Sequence, residues 1–362
     1  MFVIFVAMHF SEAEIEQVQS NSLKAEAAGQ LTKDQREVIY KGELYKSLLP
    51  EEVGGKDLSL VEAAEVFREC SAIDGSFGWS VTIGVGGNFF YEFMQANVVK
   101  EVFSPKDTLI AGSGIPSGTA TPEGDGFRIN GEWKYCSGAP HATAFTFNCV
   151  LIDEAGKKTD RIKSFVLQPE QVQIGEDWNA MGLEATSSHT VKVKDAFVAI
   201  DRIFDISQPQ GNSENLFFRY PFLEFARVSF ATVVLGLGES FLEKSQKLAE
   251  ENKTHWQQPF PDRYPKVKRL LDEQQKVLEE IHADFFKTIE ESWNELEREG
   301  SVSVKTAKAV SERCFRTVEE VQQRTSKVFP WLGMSVLFPE NELNRIWRDL
   351  QTAGQHLLLR EL

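Results

Sequence analysis

Two short stretches near the middle of the chain contain residues that could hold a flat or phosphorylated ligand. Residues 112–118, GSGIPSG, are rich in glycine, as loops that wrap a phosphate are. Pro116 and the strand-like residues that follow are not typical of a dinucleotide-binding turn, so an irregular loop between domains is the alternative. Residues 133–138, WKYCSG, combine two aromatic side chains with a hydroxyl. They could form a wall for a heteroaromatic ring with Ser137 as hydrogen-bond donor, or a core strand that turns at Gly138.

A third group of polar residues lies near the C-terminal end. Arg345, Asp349 and His356 are spaced so that one face of a continuous last helix would present all three. They form either a helix surface with an Arg–Asp pair or a polar cluster that faces a site, and spacing alone leaves both interpretations open. His141 and His189 fit ordinary turn positions. No histidine spacing is typical of a metal centre, so the sequence predicts no metal.

The composition limits the classes of protein to which the chain can belong. Its 362 residues, 42% of them hydrophobic, suffice for two or three domains. A net charge of −15 disfavours nucleic acid and anionic membranes as partners. Four scattered cysteines predict free thiols in a reducing compartment. Residues 1–8 lack the basic lead of a signal peptide, and we find no apolar run of roughly 18 residues, so we expect a cytoplasmic protein without a membrane span.

The pattern of apolar residues divides the chain into three zones. Residues from about 11 to 105 have helical periodicity, and residues from about 108 to 205 alternate as antiparallel strands do, with Asn130-Gly131 as a hairpin signal. The C-terminal zone predicts four long helices, over about residues 222–252, 266–298 and 304–328 and from near 340 to the end. The predicted fold is therefore α+β with several domains: a helical domain at 1–107, an antiparallel β-barrel or sandwich at 108–206, and a helical bundle at 207–362.

Four segments, taken together, resemble the acyl-CoA dehydrogenase superfamily. They are LPEEVGG with LVEAA (residues 49–64), GFRING with WKYCSG (126–138), WNAMGLEATSSH with VAIDR (178–202), and RIWRD with QH (345–356). The matches are collinear and cover nearly the whole chain. The resemblance implies an N-terminal α-helical domain, a β-barrel and a four-helix bundle, with a flavin between barrel and bundle. It also implies a homotetramer.

The resemblance further implies which residues contact the flavin, FAD or FMN. The segment against the isoalloxazine ring corresponds to Tyr135, Cys136 and Ser137, which would place Ser137 near flavin N5. The loop near the ring and its phosphates corresponds to Gly112, Ser113 and Gly114. Two basic residues, Arg227 and Lys253, complete the predicted contacts.

Two departures from the family pattern bear on activity. Acyl-CoA dehydrogenases remove an α-proton with a Glu, but the corresponding positions here hold His356 or Leu357 in the last segment and Ala226 at the start of the bundle. Loss of a general base typically costs about 10²–10⁴-fold in rate. The Arg-x-x-Phe-Gly motif that grips a neighbouring subunit's FAD is replaced by NKTHW at 252–256, with Asn252 in place of the Arg. FMN, or a transiently bound flavin, is therefore an alternative to tightly held FAD.

We therefore expect a flavin-dependent oxidoreductase. The last segment resembles the hydroxylating branch, in which a separate reductase delivers reduced flavin, oxygen forms a C4a-hydroperoxide, and a small aromatic or heteroatom substrate is oxygenated. His356 is predicted to donate a hydrogen bond to that adduct, with Ser137 near N5, so these two are the predicted catalytic residues. Residues 77–93 form either an aromatic substrate wall or a helix core. The alternatives are a CH–CH dehydrogenase with an unrecognised base and a non-catalytic flavin-binding relative.

Overall fold

The computed structural model describes residues 9–258 and 260–361. Residues 1–8, which bear on the signal-peptide interpretation, lie outside the described residues. Helices before the sheet are Glu12–Gln19 (α1), Ser22–Ala28 (α2), Lys33–Lys41 (α3), Leu60–Ile73 (α4), Gly75–Gly86 (α5) and Ala96–Phe103 (α6). Helices after the sheet are Phe222–Glu251 (α7), Lys253–Gln257 (α8), Arg263–Glu299 (α9), Val304–Val328 (α10) and Glu342–Ala353 (α11).

Local sequence sets where several of these helices begin. Ser11, Thr32 and Ser59 each accept a hydrogen bond from a backbone N–H three residues on, and a Glu or Gln at that position bonds back to the cap. These reciprocal capping boxes satisfy N–H groups that otherwise have no partner at a helix start. The predicted order of helices, strands and helices is confirmed.

The long C-terminal helices agree with the prediction except at two ends. α7 and α10 lie within a residue of their predicted bounds, whereas α9 begins at Arg263 and the short α8 was not expected. α11 ends at Ala353 and does not continue to the chain end. At the next residue, Gly354, a Cβ atom would lie 2.2 Å from Nε2 of Gln322 on α10, so close packing against α10 accompanies the helix end. His356 therefore lies outside the helix.

The prediction that the chain has no apolar stretch of membrane-spanning length was wrong for α7. This 30-residue helix is long and apolar enough to cross a bilayer, but 89% of its apolar window is buried inside the protein. Its neighbours are α4, α5, α9, α10 and α11, which cover it on several sides. α7 is the central helix of the core.

The strands form one sheet of seven in the described chain. They are Ile110–Glu123 (β1), Gly126–Cys136 (β2), Ala144–Ile152 (β3), Lys158–Leu167 (β4), Gln173–Ile174 (β5), His189–Ala199 (β6) and Ile203–Phe204 (β7). The hydrogen-bonded order is β5-β6-β2-β1-β3-β4-β7, so β5 and β7 are edges and the pairing does not close. The expectation of an antiparallel sheet was wrong at one place, because β1 pairs with β3 in parallel. The other pairs are antiparallel.

The predicted hairpin at Asn130-Gly131 was also wrong, because β2 includes both residues and only its register against β6 shifts between Ile129 and Gly131. The β1–β2 turn lies earlier, where Glu123 pairs with Gly126 and Gly124 adopts a positive φ of 58°. Gly131 serves close packing instead, since a Cβ atom there would lie 2.6 Å from the Gly118 Cα atom. A glycine can mark a close backbone approach as well as a turn, and the two uses have the same local sequence.

Glycine also allows the helical layers to approach closely. A Cβ atom at Gly236 of α7 would lie 2.3 Å from the backbone oxygen of Arg68 on α4. A Cβ atom at Gly86, the last residue of α5, would meet no atom within 4 Å. The two glycines therefore differ in whether a neighbour fills the space beside them, and also in position, since Gly236 lies inside α7 and Gly86 at the end of α5.

We predict that Gly236→Ala destabilises the protein and that Gly86→Ala does not. Overpacking at the α4–α7 contact is expected to lower the free energy of unfolding by about 1–3 kcal/mol. At Gly86 the better helix propensity of alanine gives no loss, and up to about 1 kcal/mol of gain. Urea denaturation followed by circular dichroism measures both. Equal effects of the two substitutions would contradict the close α4–α7 crossing.

Candidate active site

A cavity of about 220 Å³ lies between the helices and the sheet. Its helical wall includes Thr82, Ile83 and Gly86 of α5 and Ala226, Ser229 and Phe230 of α7. Its strand wall includes Gly112, Ser113 and Gly114 of β1 and Thr146 and Asn148 of β3. The volume is below the 300–1,000 Å³ that is usual for drug-sized ligands, so the cavity suits a small ring system. The predicted glycine-rich segment and the predicted seat of the lost base, Ala226, therefore lie on opposite walls of one cavity.

The glycine-rich segment is a bulge within β1 and does not lead from a strand into a helix. β1 pairs with β3 at Ser113 and again at Gly118, so four residues of β1 stand opposite the single residue Asn148. The Asn148 side chain donates to the Gly114 carbonyl at 2.8 Å and holds the bulge in place. The bulge leaves Gly114 with open space where a Cβ atom would be. The segment is therefore shaped for close approach of a ligand to backbone.

Trp79 of α5 connects the two residues that were predicted to be catalytic. Its ring stacks on Phe230 with centroids 5.3 Å apart, and the His356 ring lies 4.0 Å from that of Phe230 and 6.0 Å from that of Trp79. On its other side, the Trp79 indole N–H donates to Ser137 Oγ at 3.0 Å. Ser137 and His356 are not in the cavity wall itself. His356 lies against the lining residue Phe230, and Ser137 is bonded to Trp79, which stacks on Phe230.

Ser137 belongs to a chain of three buried hydroxyls whose direction can be worked out. Thr186 Oγ1 donates to the Leu183 carbonyl at 2.7 Å, which uses its only proton. Ser188 must then donate to Thr186 and Ser137 to Ser188, each across 2.7 Å. Ser137 also accepts from Trp79, so its proton is directed toward Ser188 and it keeps one free lone pair. A donor role toward a cofactor, as predicted for Ser137, would need the chain to reverse.

The other residues of the WKYCSG segment divide between core and surface. Trp133 is fully buried and stacks on Phe147 at 4.2 Å, so it is a core residue and not a ligand wall. The Cys136 thiol is buried and donates to the Trp133 carbonyl, and burial raises its pKa to about 12. Tyr135 is 68% exposed, with an unusual positive φ of 64°, and its ring meets Trp178 edge-on. Strained, exposed aromatic residues of this kind are frequent at ligand sites.

His356 follows α11 and caps the short turn Leu357–Leu359. Its Nδ1 accepts from the Leu358 N–H at 3.3 Å, so in the neutral ring the proton is on Nε2. Burial lowers the pKa of His356 to about 4. The imidazole is therefore neutral near pH 7 and carries one N–H donor.

The two predicted basic contacts do not reach this cavity. Arg227 points toward α10, where it bonds Glu224 and Ser311 and lies over the Phe315 ring. Lys253 follows α7 and lies 5.0 Å from the Tyr264 ring. At 1.5 Å per helical residue, about 40 Å of α7 separates it from Ala226. Asn252 caps α7 by donating to the Leu248 carbonyl. Within one chain, neither basic residue joins the candidate site.

Asp349 is a positioning residue whose partners could not be identified from the sequence. Its Oδ1 accepts from the Leu183 N–H at 2.5 Å, and its Oδ2 lies 2.6 Å from the place of a Cβ atom at Gly75, where α5 begins. Arg345 is 3.9 Å from Asp74 beside it. Burial, together with the negative charge of Asp74, raises the pKa of Asp349 to about 8. Arg345 and Asp349 lie on one helix as predicted, but His356 does not, because α11 ends at Ala353.

The remaining histidines of the strand zone hold loops. Nδ1 of His189 accepts from the backbone N–H groups of Asp177 and Trp178. His141 lies 2.7 Å from Arg36, and burial and this cation lower its pKa to about 4. Within residues 9–258 and 260–361 no cluster of three His, Cys, Asp or Glu side chains could hold a metal ion. The four cysteines are buried and unpaired.

Comparisons with known proteins agree with this architecture. The sequence model of the family described as acyl-CoA dehydrogenase, C-terminal domain, matches residues 228–361. An indole-3-acetate monooxygenase from Pseudomonas putida is 27% identical over 319 residues, covering 87% of this chain and 80% of the relative. The 3-HSA hydroxylase from Rhodococcus sp. RHA1 superposes with a TM-score of 0.86 at 21% identity, covering 96% of this chain and 91% of the other.

A second solved structure shows ligands in this fold. The dibenzothiophene monooxygenase TdsC from Paenibacillus sp. A11-2, in complex with FMN and indole, superposes with a TM-score of 0.78 at 19% identity. The alignment covers 95% of this chain and 91% of TdsC. At such identities, the superpositions with both structures show the fold alone.

Over residues 228–361 the chain is similar to the acyl-CoA dehydrogenase family. Within it, the similarity is to the flavin-dependent monooxygenases, as the last segment of the sequence indicated.

We predict that Asp349→Asn removes part of the pH dependence of stability. The folded-state pKa of Asp349, about 8, lies above its ordinary value of 3.8, so the folded protein keeps a proton that the unfolded chain releases. Linkage makes this contribution to stability decline as pH rises from about 4 to about 8. Asparagine still accepts from Leu183 but cannot ionise. The unfolding free energy of the variant, relative to wild type, should therefore increase with pH across that window.

Urea denaturation between about pH 5 and about pH 8.5 measures this difference. Asp205→Asn is the control, because hydrogen bonds to Ser207 and Lys163 lower the pKa of Asp205 to about 2. The Asp205→Asn substitution should shift the unfolding free energy by a constant amount and leave its dependence on pH unchanged in the same range. Parallel curves for Asp349→Asn and wild type would show that Asp349 is ionised in the folded protein.

Proposed function

We propose that this protein is a flavin-dependent monooxygenase that uses reduced flavin and oxygen to oxygenate a small aromatic or heteroatom substrate. The observation that carries the proposal is the cavity lining, whose described residues include no carboxylate. Ala226 is among them, at the position where the resemblance implies one seat for the base of the superfamily. Removal of an α-proton from an acyl thioester needs a general base in contact with it. The relatives named above are monooxygenases, and TdsC binds FMN with indole.

The residues at the cavity fit a bound flavin, FAD or FMN. Gly114 leaves open space in the strand wall, where a flat ring could approach the backbone, and the helical side of the cavity would then remain for the substrate. Ser137 keeps one acceptor lone pair, which suits a ring N–H group. Ser113, Gly114, Tyr135 and Ser137 are the residues that would hold the flavin on the strand side. When bound, the flavin supplies the activation of oxygen.

The protein's own residues then have three tasks. Phe230 and Trp79 keep water away from the region between the cavity and the hydroxyl chain, and a dry pocket is what a reactive oxygen adduct requires. His356, neutral with its proton on Nε2, is available to donate a hydrogen bond to a developing negative charge. Ser137 is held in place by Trp79 and Ser188. These contacts support catalytic roles for Ser137 and His356.

We also propose the larger-scale features that the superfamily implies. These are domains at 1–107, 108–206 and 207–362, with the sheet as a barrel and the four long C-terminal helices as a bundle. They also include a homotetramer, a cytoplasmic location and a separate flavin reductase. Within one chain, Lys253 lies too far from Ala226 for both residues to contact the same flavin. A flavin contacted by Lys253 would therefore belong to the site of a neighbouring subunit, which supports the homotetramer. Arg227, which is held by Glu224 and Ser311, would orient α7 against α10 and contact no flavin of its own chain.

The test supplies the purified protein with photoreduced FMN or FAD, oxygen and a panel of small aromatic compounds. We expect a product whose added oxygen atom derives from labelled molecular oxygen. His356→Ala should lower product formation by about 10²-fold or more, with reduced flavin consumed to release hydrogen peroxide. Lack of any oxygen-dependent product would contradict the proposal. Anaerobic bleaching of the flavin by acyl-CoA thioesters would favour a dehydrogenase.

Two further variants separate chemistry from folding. His255→Ala, at an exposed position on α8, should leave product formation within about twofold of wild type. His356→Gln keeps an N–H donor and should recover part of the product lost in His356→Ala. If all three variants behave alike, His356 has no role in the reaction.

A further inference from the structure

Among residues 9–258 and 260–361, no charged side chain lines the cavity between the helices and the sheet. Its largest contributions are the five aromatic rings of Phe90, Phe204, Phe222, Phe225 and Phe230. The rest of the lining consists of aliphatic, glycine, hydroxyl and amide groups. A ligand in this cavity is therefore surrounded by neutral groups on both the helical and the strand side.

The charges next to the cavity wall are directed elsewhere and already paired. Arg227 follows Ala226 but bonds Glu224 and Ser311 on the α10 side. Lys163 precedes the lining residue Ser164 on β4, so its side chain leaves the opposite face of the strand, where it pairs with Asp205 at 2.9 Å. His356, the nearest titratable ring behind Phe230, is neutral near pH 7 because burial lowers its pKa to about 4. In the part of the chain that the structure describes, no cation lines the cavity to receive an anionic group.

Most polar groups of the lining are also occupied. The Asn148 amide accepts from Ser164 at 2.6 Å and donates to the Gly114 carbonyl. The hydroxyls of Thr82 and Ser229 each donate to a carbonyl of their own helix at 2.8 Å. The Ser113 and Thr146 hydroxyls, which are on the paired strands β1 and β3, retain hydrogen-bonding capacity. They can serve one or two uncharged polar groups of a ligand.

Charge therefore distinguishes the ligands that this cavity can hold. A carboxylate taken from water into such a cavity loses its hydration and gains no opposite charge, which is strongly unfavourable. An indole N–H, a phenol hydroxyl or a ring sulfur needs only a weak partner or none. The indole-3-acetate monooxygenase relative is named for a substrate with a carboxylate, whereas TdsC was solved with indole, which has none.

We infer that the substrate of this protein is an uncharged aromatic or heteroaromatic compound of one or two rings, and that the cavity excludes aromatic carboxylates. This inference rests on the proposed function for the reaction but concerns the binding step, so it can be tested without turnover. The neutral lining on all sides distinguishes this chain's cavity from one built to pair with an acid.

The test compares three matched ligands: indole, indole-3-acetate and the methyl ester of indole-3-acetate. The ester has nearly the size of the acid but no charge. Equilibrium binding to the full-length protein is measured by calorimetry, with FMN and without it. We expect indole and the ester to bind with similar affinity and the acid at least about tenfold more weakly than the ester. An acid that binds as well as the ester, an ester as weak as the acid, or no binding of indole would overturn the inference.

A pair of variants tests whether the missing cation is the cause. Ala226→Lys places a positive charge in the helical wall, and Ala226→Met adds similar length without charge. Lys should raise the affinity for indole-3-acetate relative to its ester by about tenfold over the Met variant. The same acid-to-ester ratio in both variants would contradict the inference. If the variants do not fold, the comparison of the three ligands on the wild-type protein still decides it.

Turnover measurements separate this inference from the proposed function. Absence of oxygen-dependent product from every ligand, with the expected order of binding, would contradict the monooxygenase reaction and leave the binding selectivity supported. Oxygen-dependent product formed from the acid with a kcat/KM equal to that of indole would support the reaction and overturn the selectivity.

Discussion

A single buried carboxyl group, that of Asp349, joins the segments on which the candidate active site is built. It accepts a hydrogen bond from Leu183 and lies against Gly75, the first residue of α5. α5 carries Trp79, and the loop after Leu183 carries the two hydroxyls that continue to Ser137. Both groups that fix the Ser137 hydroxyl are therefore positioned from α11. Burying the carboxyl beside Asp74 is costly, which is why its pKa is raised, but it brings helix, loop and strand end together.

The parts of the fold that were predicted correctly depend on neighbours in the sequence. The bounds of α7 and α10 follow from apolar periodicity and from residues at the helix ends, and the two helices lie within a residue of the prediction. The incorrect predictions concern features that depend on residues distant in the sequence. Gly131 lies within a strand and packs against Gly118, and β1 pairs in parallel with β3, although β2 comes between them in the sequence. No local pattern distinguishes such a glycine from one in a turn.

The same division holds for the candidate site. Ser137 and His356 were predicted to be catalytic because of their side-chain types and because of the resemblance to the acyl-CoA dehydrogenase superfamily. Their relation to each other could not be predicted, because it runs through Trp79, whose position depends on how α5 packs against α7 and the loop at Leu183. The end of α11 before His356 likewise coincides with a close contact between Gly354 and Gln322 of another helix. Tertiary contacts, more than propensity, shape this site.

The absence of a base and the absence of charge in the cavity are one physical property. A carboxylate at position 226 would lie in a lining whose described residues carry no charge, and burial would raise its pKa and favour its neutral form. Proton removal from a thioester also develops negative charge on the substrate, and no charged side chain among the described lining residues would stabilise it. A dry, neutral cavity instead suits transfer of an oxygen atom to an uncharged ring, because that reaction requires exclusion of water more than stabilisation of an anion. In the two proposals, alanine in place of the base therefore bears on the reaction and on the acceptable substrate together.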